Sequence, residues 1–297
     1  MSKTDVNAEI REFLSTRRAR ITPEQAGLPA YGGNRRVKGL RREEVAMLAG
    51  VSVDYYVRME RGSLAGASES VLNAVADALR LDEAERAHLY ALARESGSHG
   101  PQRKRSAPTA VRPGIQQLLD AMTDAAAWVR NGRHDIVAMN QLARALYSPV
   151  LANPRRPANT TRFVYLDPAA PEFFVDYDRI ANDAAAMLRL EAGRNPHDKA
   201  LIELVGELST RSELFRRRWA SHDVQFHRSG QKRLRHPVVG QLDLDFEGME
   251  LASSPGLHLN IYTAAPGTPT ADGLQLLASW AASLENLATE TAATPGA

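Results

Sequence analysis

The chain contains no cysteine. That excludes disulfides, thiolate metal sites and a cysteine nucleophile. No stretch approaches the ~18 consecutive apolar residues of a membrane span. The opening residues, MSKTDVNAEI, lack the apolar core of a secretion signal. A cytoplasmic protein that does not enter the membrane is therefore expected. There is no Walker loop, dinucleotide fingerprint, GxSxG elbow or HExxH helix, so neither an enzyme nor a cofactor is expected. His222 and His227 are the closest histidine pair of the second half. Their odd spacing in a strand-like stretch puts them on opposite faces, which argues against a metal site.

Apolar residues make up 43% and charged residues 24% of the 297, the balance of a packed protein long enough for two domains. The net charge of +2 hides an asymmetry. Residues 1–105 hold 18 Lys/Arg against 14 Asp/Glu, leaving 19 against 21 for the rest. Residues 11–42 alone hold nine basic and two acidic side chains, an excess suited to a phosphate backbone.

The most informative stretch is 40–63, LRREEVAMLAGVSVDYYVRMERGS. Residues 42–49 are good helix formers. Gly50 follows where a helix end favours the left-handed conformation. Val51 is an apolar plug in the turn, Ser52 an N-cap for the next helix, and Asp54 an acid in its first turn. The second helix runs from about Val53 to Arg61 and stops at Gly62. Helical spacing faces Val45, Ala46, Ala49, Tyr56 and Met59 inward. Arg42, Val53, Asp54, Tyr55 and Arg58 are left outward, with the capping Ser52 beside them. The N-terminal residues of such a second helix meet base edges, so these six are candidate DNA contacts. Arg35, Arg36 and Lys38, just upstream, are candidates for phosphate contacts, which set register without reading sequence.

This stretch resembles the helix-turn-helix of XRE-type, lambda-repressor-like bacterial regulators. GLRREEVAMLAGVSVDYY, together with SGQKRLRHPVVGQLDLDFEGMEL much later, resembles the MmyB-like subfamily. The likeness covers about residues 10–280. It implies a multidomain protein: an all-α lambda-repressor-like helix-turn-helix domain followed by an α/β PAS-like ligand-binding domain with an antiparallel sheet. It also implies a fatty-acid-like or other small amphipathic ligand. The partners expected are a double-stranded DNA operator and a second copy of the chain.

Around these motifs the pattern predicts a first helix over 9–20 and a second helix starting at Thr22-Pro23. Helices follow at 68–80 and from Asp82 to before Gly97. The expected domains are 1–96 (DNA-binding), 97–110 (linker), 111–288 (ligand-binding) and 289–297 (disordered tail). The linker is rich in Gly, Ser and Pro, and its Arg103-Lys104-Arg105 run is either a loose phosphate contact or merely solvated.

The second domain should open with a helix near 112–124. A hairpin should turn at Asn131-Gly132, and Asn140 should cap a helix. Residues 148–171 read as mostly irregular, apart from an apolar piece around Phe163–Leu166. Helices at 177–193, 198–209 and 212–221 precede strands at 223–228, 232–247 (with a bend at Pro237 or Gly240) and 257–264, then a helix over 272–287. Candidate anchors for an acidic head group are Arg194, Arg218, His222, Arg235 and His236. Candidate walls are Trp128, Phe163, Trp219 and Tyr262; aromatic residues on apolar strands are also ordinary core. An alternative makes the second domain a protein-partner module with no small molecule, which a dry core and an exposed apolar patch would favour.

Overall fold

The computed structural model describes residues 3–28, 37–97, 109–225 and 228–293. Arg35, Arg36 and most of the expected linker, including Arg103, Lys104 and Arg105, lie outside the described residues. The chain forms two compact units. The first comprises Met1–Arg105 with Arg189–Ile202 and Arg217–Phe226; the second comprises Ser106–Leu188, Glu203–Arg216 and His227–Ala297. The expected division at 97–110 does not include the two later segments that join the first unit.

The first unit is built on α1 (Lys3–Arg20), α2 (Arg42–Leu48), α3 (Val53–Glu60), α4 (Glu69–Ala78) and α5 (Glu83–Gly97). Helix α1 starts earlier than the apolar stripe indicates, but that stripe (Ile10, Phe13, Leu14) is fully buried. The helix expected from Thr22 is a single turn. Thr22 and Gln25 exchange the capping bonds, the Thr22 amide donating to Gln25 Oε1 at 2.9 Å. Gly27 then turns left-handed at φ +74° and ends it. Ser52 caps α3 and Ser68 caps α4, each accepting an amide three residues on. Asp82 and Glu85 close a reciprocal box ahead of α5. Val45, Ala46, Tyr56 and Met59 join Ile10, Phe13, Leu72, Val75 and Leu89 in one core.

An ionic cluster lies beside that core. Arg189 Nη1 reaches both oxygens of Glu9 at 2.6 Å. His222 Nδ1 and His88 Nε2 each stand 3.4 Å from Glu9. Arg189 also stacks on the Trp219 ring at 4.0 Å. Burial pushes the Glu9 carboxyl up. The hydrogen bonds with His222 and His88 and the Arg189 charge outweigh it, holding the group far below the usual carboxylate range. Burial pushes the fully buried His88 down, against the pull of Glu9. Both groups therefore bind fewer protons folded than unfolded, so stability falls with acid. The His88 contribution is lost as pH drops below about 6.5 and that of Glu9 as it drops below about 4.3, their unfolded values. Melting temperatures measured across this range should decline in those two steps. His88→Gln should shrink the upper step, to which the buried His236 also contributes, and an unchanged step would assign it to other groups.

The second unit contains α6 (Pro113–Ala121), β1 (Ala126–Asn131), β2 (Ile136–Met139), α7 (Gln141–Leu146), α8 (Ser148–Leu151), α9 (Thr160–Leu166) and α10 (Ala170–Phe173). Helices α11 (Tyr177–Arg194), α12 (Lys199–Arg211) and α13 (Glu213–Ala220) each contribute a part. Strands β3 (Ser229–His236), β4 (Gly240–Glu250) and β5 (Leu257–Thr263) and helix α14 (Pro269–Ala293) complete it. The sheet is antiparallel throughout, in the order β2-β1-β5-β4-β3.

Several expectations change. The Asn131-Gly132 hairpin forms, but its loop is longer than two residues. His134 takes the left-handed position at φ +67° and donates its amide to the Asn131 carbonyl at 3.0 Å, as in three-residue hairpins. The stretch expected to be irregular holds three short helices, started by Pro149 and Pro171 in their first turns and by the Asn159 cap. Residues 223–225 form no strand, and the expected bend at Pro237 or Gly240 is a full turn that makes two strands of 232–247, paired from Ser229↔Glu247 to His236↔Gly240. Helix α14 continues to Ala293, into the tail expected to be disordered.

Strand alternation gives the sheet two working faces. Ala127, Val129, Leu257 and Leu259 pack on one side with Leu119 of α6. Trp128, Arg130, Lys232, Leu234, Leu244, Phe246, Asn260 and Tyr262 share the other by register.

Candidate functional site

The first candidate is a nucleic-acid interface. Gly50 is left-handed at φ +63°. It turns the chain from α2 into α3 with Val51 packed against the core. The cap from Ser52 to the Tyr55 amide (3.2 Å) fixes the start of α3. Lys38, Arg42, Ser52, Val53, Asp54 and Arg58 are exposed and Tyr55 is half-buried, so the described candidates are open to solvent. Arg58 stacks its guanidinium on the Tyr55 ring at 5.0 Å. That contact limits the freedom Arg58 would otherwise lose on binding.

Glu60 explains the posture of Arg42. Its carboxylate is 1% exposed and accepts from Arg18 at 2.9 and 2.8 Å and from Arg42 Nε. Arg18 also donates to the Leu40 carbonyl at 2.8 Å. Arg42 is thereby anchored at Nε while its side chain stays 54% exposed. Sequence reading treated Arg42 as a contact and missed this anchor. A carboxylate in the last turn of α3, three residues before Ser63, has no local signature of burial.

The second candidate is a cavity in the other unit, on the Trp128 face of the sheet. Its lining includes Trp128, Arg130, Tyr147, Phe174, Asp183, Lys232, Asn260 and Tyr262, and its volume is about 50 Å³. Helix α11 supplies Ile180, Ala184 and Met187 to the same wall. The Tyr147 and Tyr262 hydroxyls are 2.9 Å apart, and Lys232 Nζ donates to Tyr262 at 3.1 Å. Burial, then the neighbouring Tyr262, pushes the Tyr147 hydroxyl up. Burial raises the Asp183 carboxyl, against the pull of Arg179 and Lys232.

Of the residues named from sequence for a ligand, Trp128 and Tyr262 line this cavity. Arg194, Arg218, Trp219 and His222 do not. They fall in segments that fold with the first unit, where Trp219 and His222 serve the Glu9 cluster. Arg235 is exposed, because the alternation that buries Lys232, Leu234 and His236 turns it outward. His236 is buried, but its ring bonds the Ala145 carbonyl at 3.1 Å and the Val238 amide at 3.2 Å. Phe163 packs on Phe173 and Phe174 and lines a different hollow of about 110 Å³ with Arg155, Arg162 and Arg211. The cavity residues missed from sequence include Lys232, Arg130, Tyr147 and Asp183. Strand alternation around Leu234 was the one local signal for Lys232.

A helix-turn-helix domain model matches residues 11–89. The model of the MmyB-like transcription regulator ligand binding domain matches residues 111–277, more than half of the chain. The chain belongs to the MmyB-like transcription regulators. It is a DNA-binding regulator with a ligand-binding domain, and the matched domain contains every residue that lines the cavity. No curated protein matches the chain. Among the described residues no group of His, Asp or Glu could hold a metal ion, and no helix is long and apolar enough to cross a membrane.

Proposed function

We propose that this regulator binds a two-fold operator as a homodimer in the bacterial cytoplasm, and that a small amphipathic, fatty-acid-like ligand in the cavity of the second unit alters its affinity for DNA. The observation that carries the DNA half is the capped, solvent-open α3 with Arg58 stacked on Tyr55. One α3 enters the major groove of each half-site, with half-sites about one helical turn, ~34 Å, apart. Arg42, Asp54, Tyr55 and Arg58 read bases or adjacent phosphates, and Lys38 holds the backbone.

The ligand half is supported by the ring-lined cavity with its few polar groups. A ligand shifts operator affinity only through unequal affinity for the binding-competent and incompetent states. The protein-partner alternative has less support, because the Trp128 face of the sheet holds a ring-lined cavity with several polar groups in its wall.

Selection from a random duplex pool gives the operator, and anisotropy titration then tests the contacts. Arg58→Ala should lose about 1–3 kcal/mol at the selected operator and little on scrambled duplex. Lys38→Ala should weaken both duplexes alike and reduce the salt slope by about one. Undiminished operator affinity in Arg58→Ala would remove α3 from the reading role.

A further inference from the structure

The second unit has another hollow, of about 110 Å³, which shares no lining residue with the cavity on the Trp128 face. Three arginines from separate parts of the chain line it: Arg155 in the connection before α9, Arg162 on α9 and Arg211 at the end of α12. Like charges gathered in one place repel unless a counter-charge holds them. Glu207, one turn before Arg211, does so. Its carboxylate accepts from Arg155 Nη1 at 2.5 Å, Arg162 Nε at 2.9 Å and Arg211 Nη1 at 3.1 Å. Burial pushes this carboxyl up, but the hydrogen bonds with Arg162 and Arg155 outweigh it and hold the group below its ordinary value. Asp167 is the other carboxylate of the hollow. Three positive charges therefore meet two negative ones. Arg162 is the most enclosed of the three, its side chain 21% exposed. Its Nε is taken by Glu207, and neither of its Nη groups has an acceptor among the described residues. The lining also has an apolar part, from Val150, Pro157, Phe163 and Leu166. The Phe163 ring is fixed there by edge contacts with Phe173 and Phe174.

We infer that this hollow is a second ligand site and takes a small phosphate monoester, its phosphoryl oxygens held by Arg155, Arg162 and Arg211 and its organic part resting against Phe163. A phosphoryl group offers three terminal oxygens, one for each guanidinium. Its charge of about −1.5 to −2 at neutral pH answers the positive surplus better than a carboxylate would. Guanidinium forks match phosphate geometry, and each of the three keeps N–H groups beyond the one that Glu207 takes. Glu207 also pre-places the arginines, so less side-chain freedom is lost on binding. The inference is independent of the ligand proposed for the other cavity.

Calorimetry on the full chain at fixed salt compares phenyl phosphate with inorganic phosphate, benzoate and phenol. Phenyl phosphate should bind at least roughly tenfold tighter than phenol, which lacks the charge. It should bind roughly three- to tenfold tighter than inorganic phosphate, which lacks the ring. Arg162→Gln should weaken phenyl phosphate roughly ten- to a hundredfold, the range of a charge-assisted bond. Arg211→Gln, at a position 57% exposed, should give a smaller loss in the same direction and serves if Arg162→Gln does not fold. Binding that survives both variants overturns the site. Weakening by Arg58→Ala instead would place the phosphate on the DNA-binding face and also overturn it. Benzoate as tight as phenyl phosphate overturns the phosphoryl group, and inorganic phosphate as tight overturns the ester in favour of a free anion. No binding of either phosphate overturns the inference and leaves the three arginines as a structural tie on Glu207.

Discussion

Glu60→Ala should destabilise the helix-turn-helix unit by about 3–5 kcal/mol, the usual cost of removing one partner from a buried ion pair. The carboxylate is 1% exposed and its main partner Arg18 is 15% exposed. Without Glu60, Arg18 keeps its bond to the Leu40 carbonyl, but its largely buried charge has no other carboxylate partner among the described residues. Arg42, 54% exposed, can turn to water and recover much of its share. The cost therefore sits with Arg18, and Arg18→Met in the same chain should restore part of the loss. Urea denaturation followed by helical circular dichroism measures it. A loss below about 1 kcal/mol, the level of a surface pair, would show that the cluster is not the buried tie described. Operator affinity should fall as well, beyond what unfolding explains, because Arg42 loses its anchor.

Gly62→Ala should be the second large effect, about 2–6 kcal/mol. Gly62 ends α3 at φ +107°, which a side chain rarely adopts. A Cβ there would stand 2.5 Å from the Asn7 carbonyl oxygen and 2.7 Å from Asn7 Cβ on α1. Conformational strain and the collision are separate costs, each about 1–3 kcal/mol. The backbone of α1 must shift, and it carries Arg18 and the buried stripe. Gly50→Ala is the control. It has the same handedness, at φ +63°, but nothing within 4 Å of its would-be Cβ. It should show strain alone, so equal losses for the two variants would discard the close approach to Asn7.

The helix-turn-helix was legible because its determinants are local. Gly50, Val51, Ser52 and the pair Tyr56/Met59 act within one or two turns of each other, and spacing shows them. Asn140 and the Asn131 hairpin were legible for the same reason, although the hairpin's loop length depended on His134 taking a left-handed conformation. The cavity was hidden because its members meet only through the sheet. Lys232 reaches Tyr262 across β4, and Trp128 reaches Asn260 across β1 and β5. Arginine and histidine were favoured as acid anchors by type alone. That choice led to Arg235, which alternation turns outward, and to His222, whose ring serves Glu9. The return of residues 189–202 and 217–226 to the first unit has no local sequence signal.

Occupancy of the cavity on the Trp128 face of the sheet should set operator affinity. The most direct test is an anisotropy titration of the selected operator with the full chain at fixed salt, with and without saturating decanoate as a fatty-acid probe. A change in operator affinity of about fivefold or more is expected, the scale of ordinary allosteric coupling. Equal operator affinity with the cavity filled and empty would contradict it.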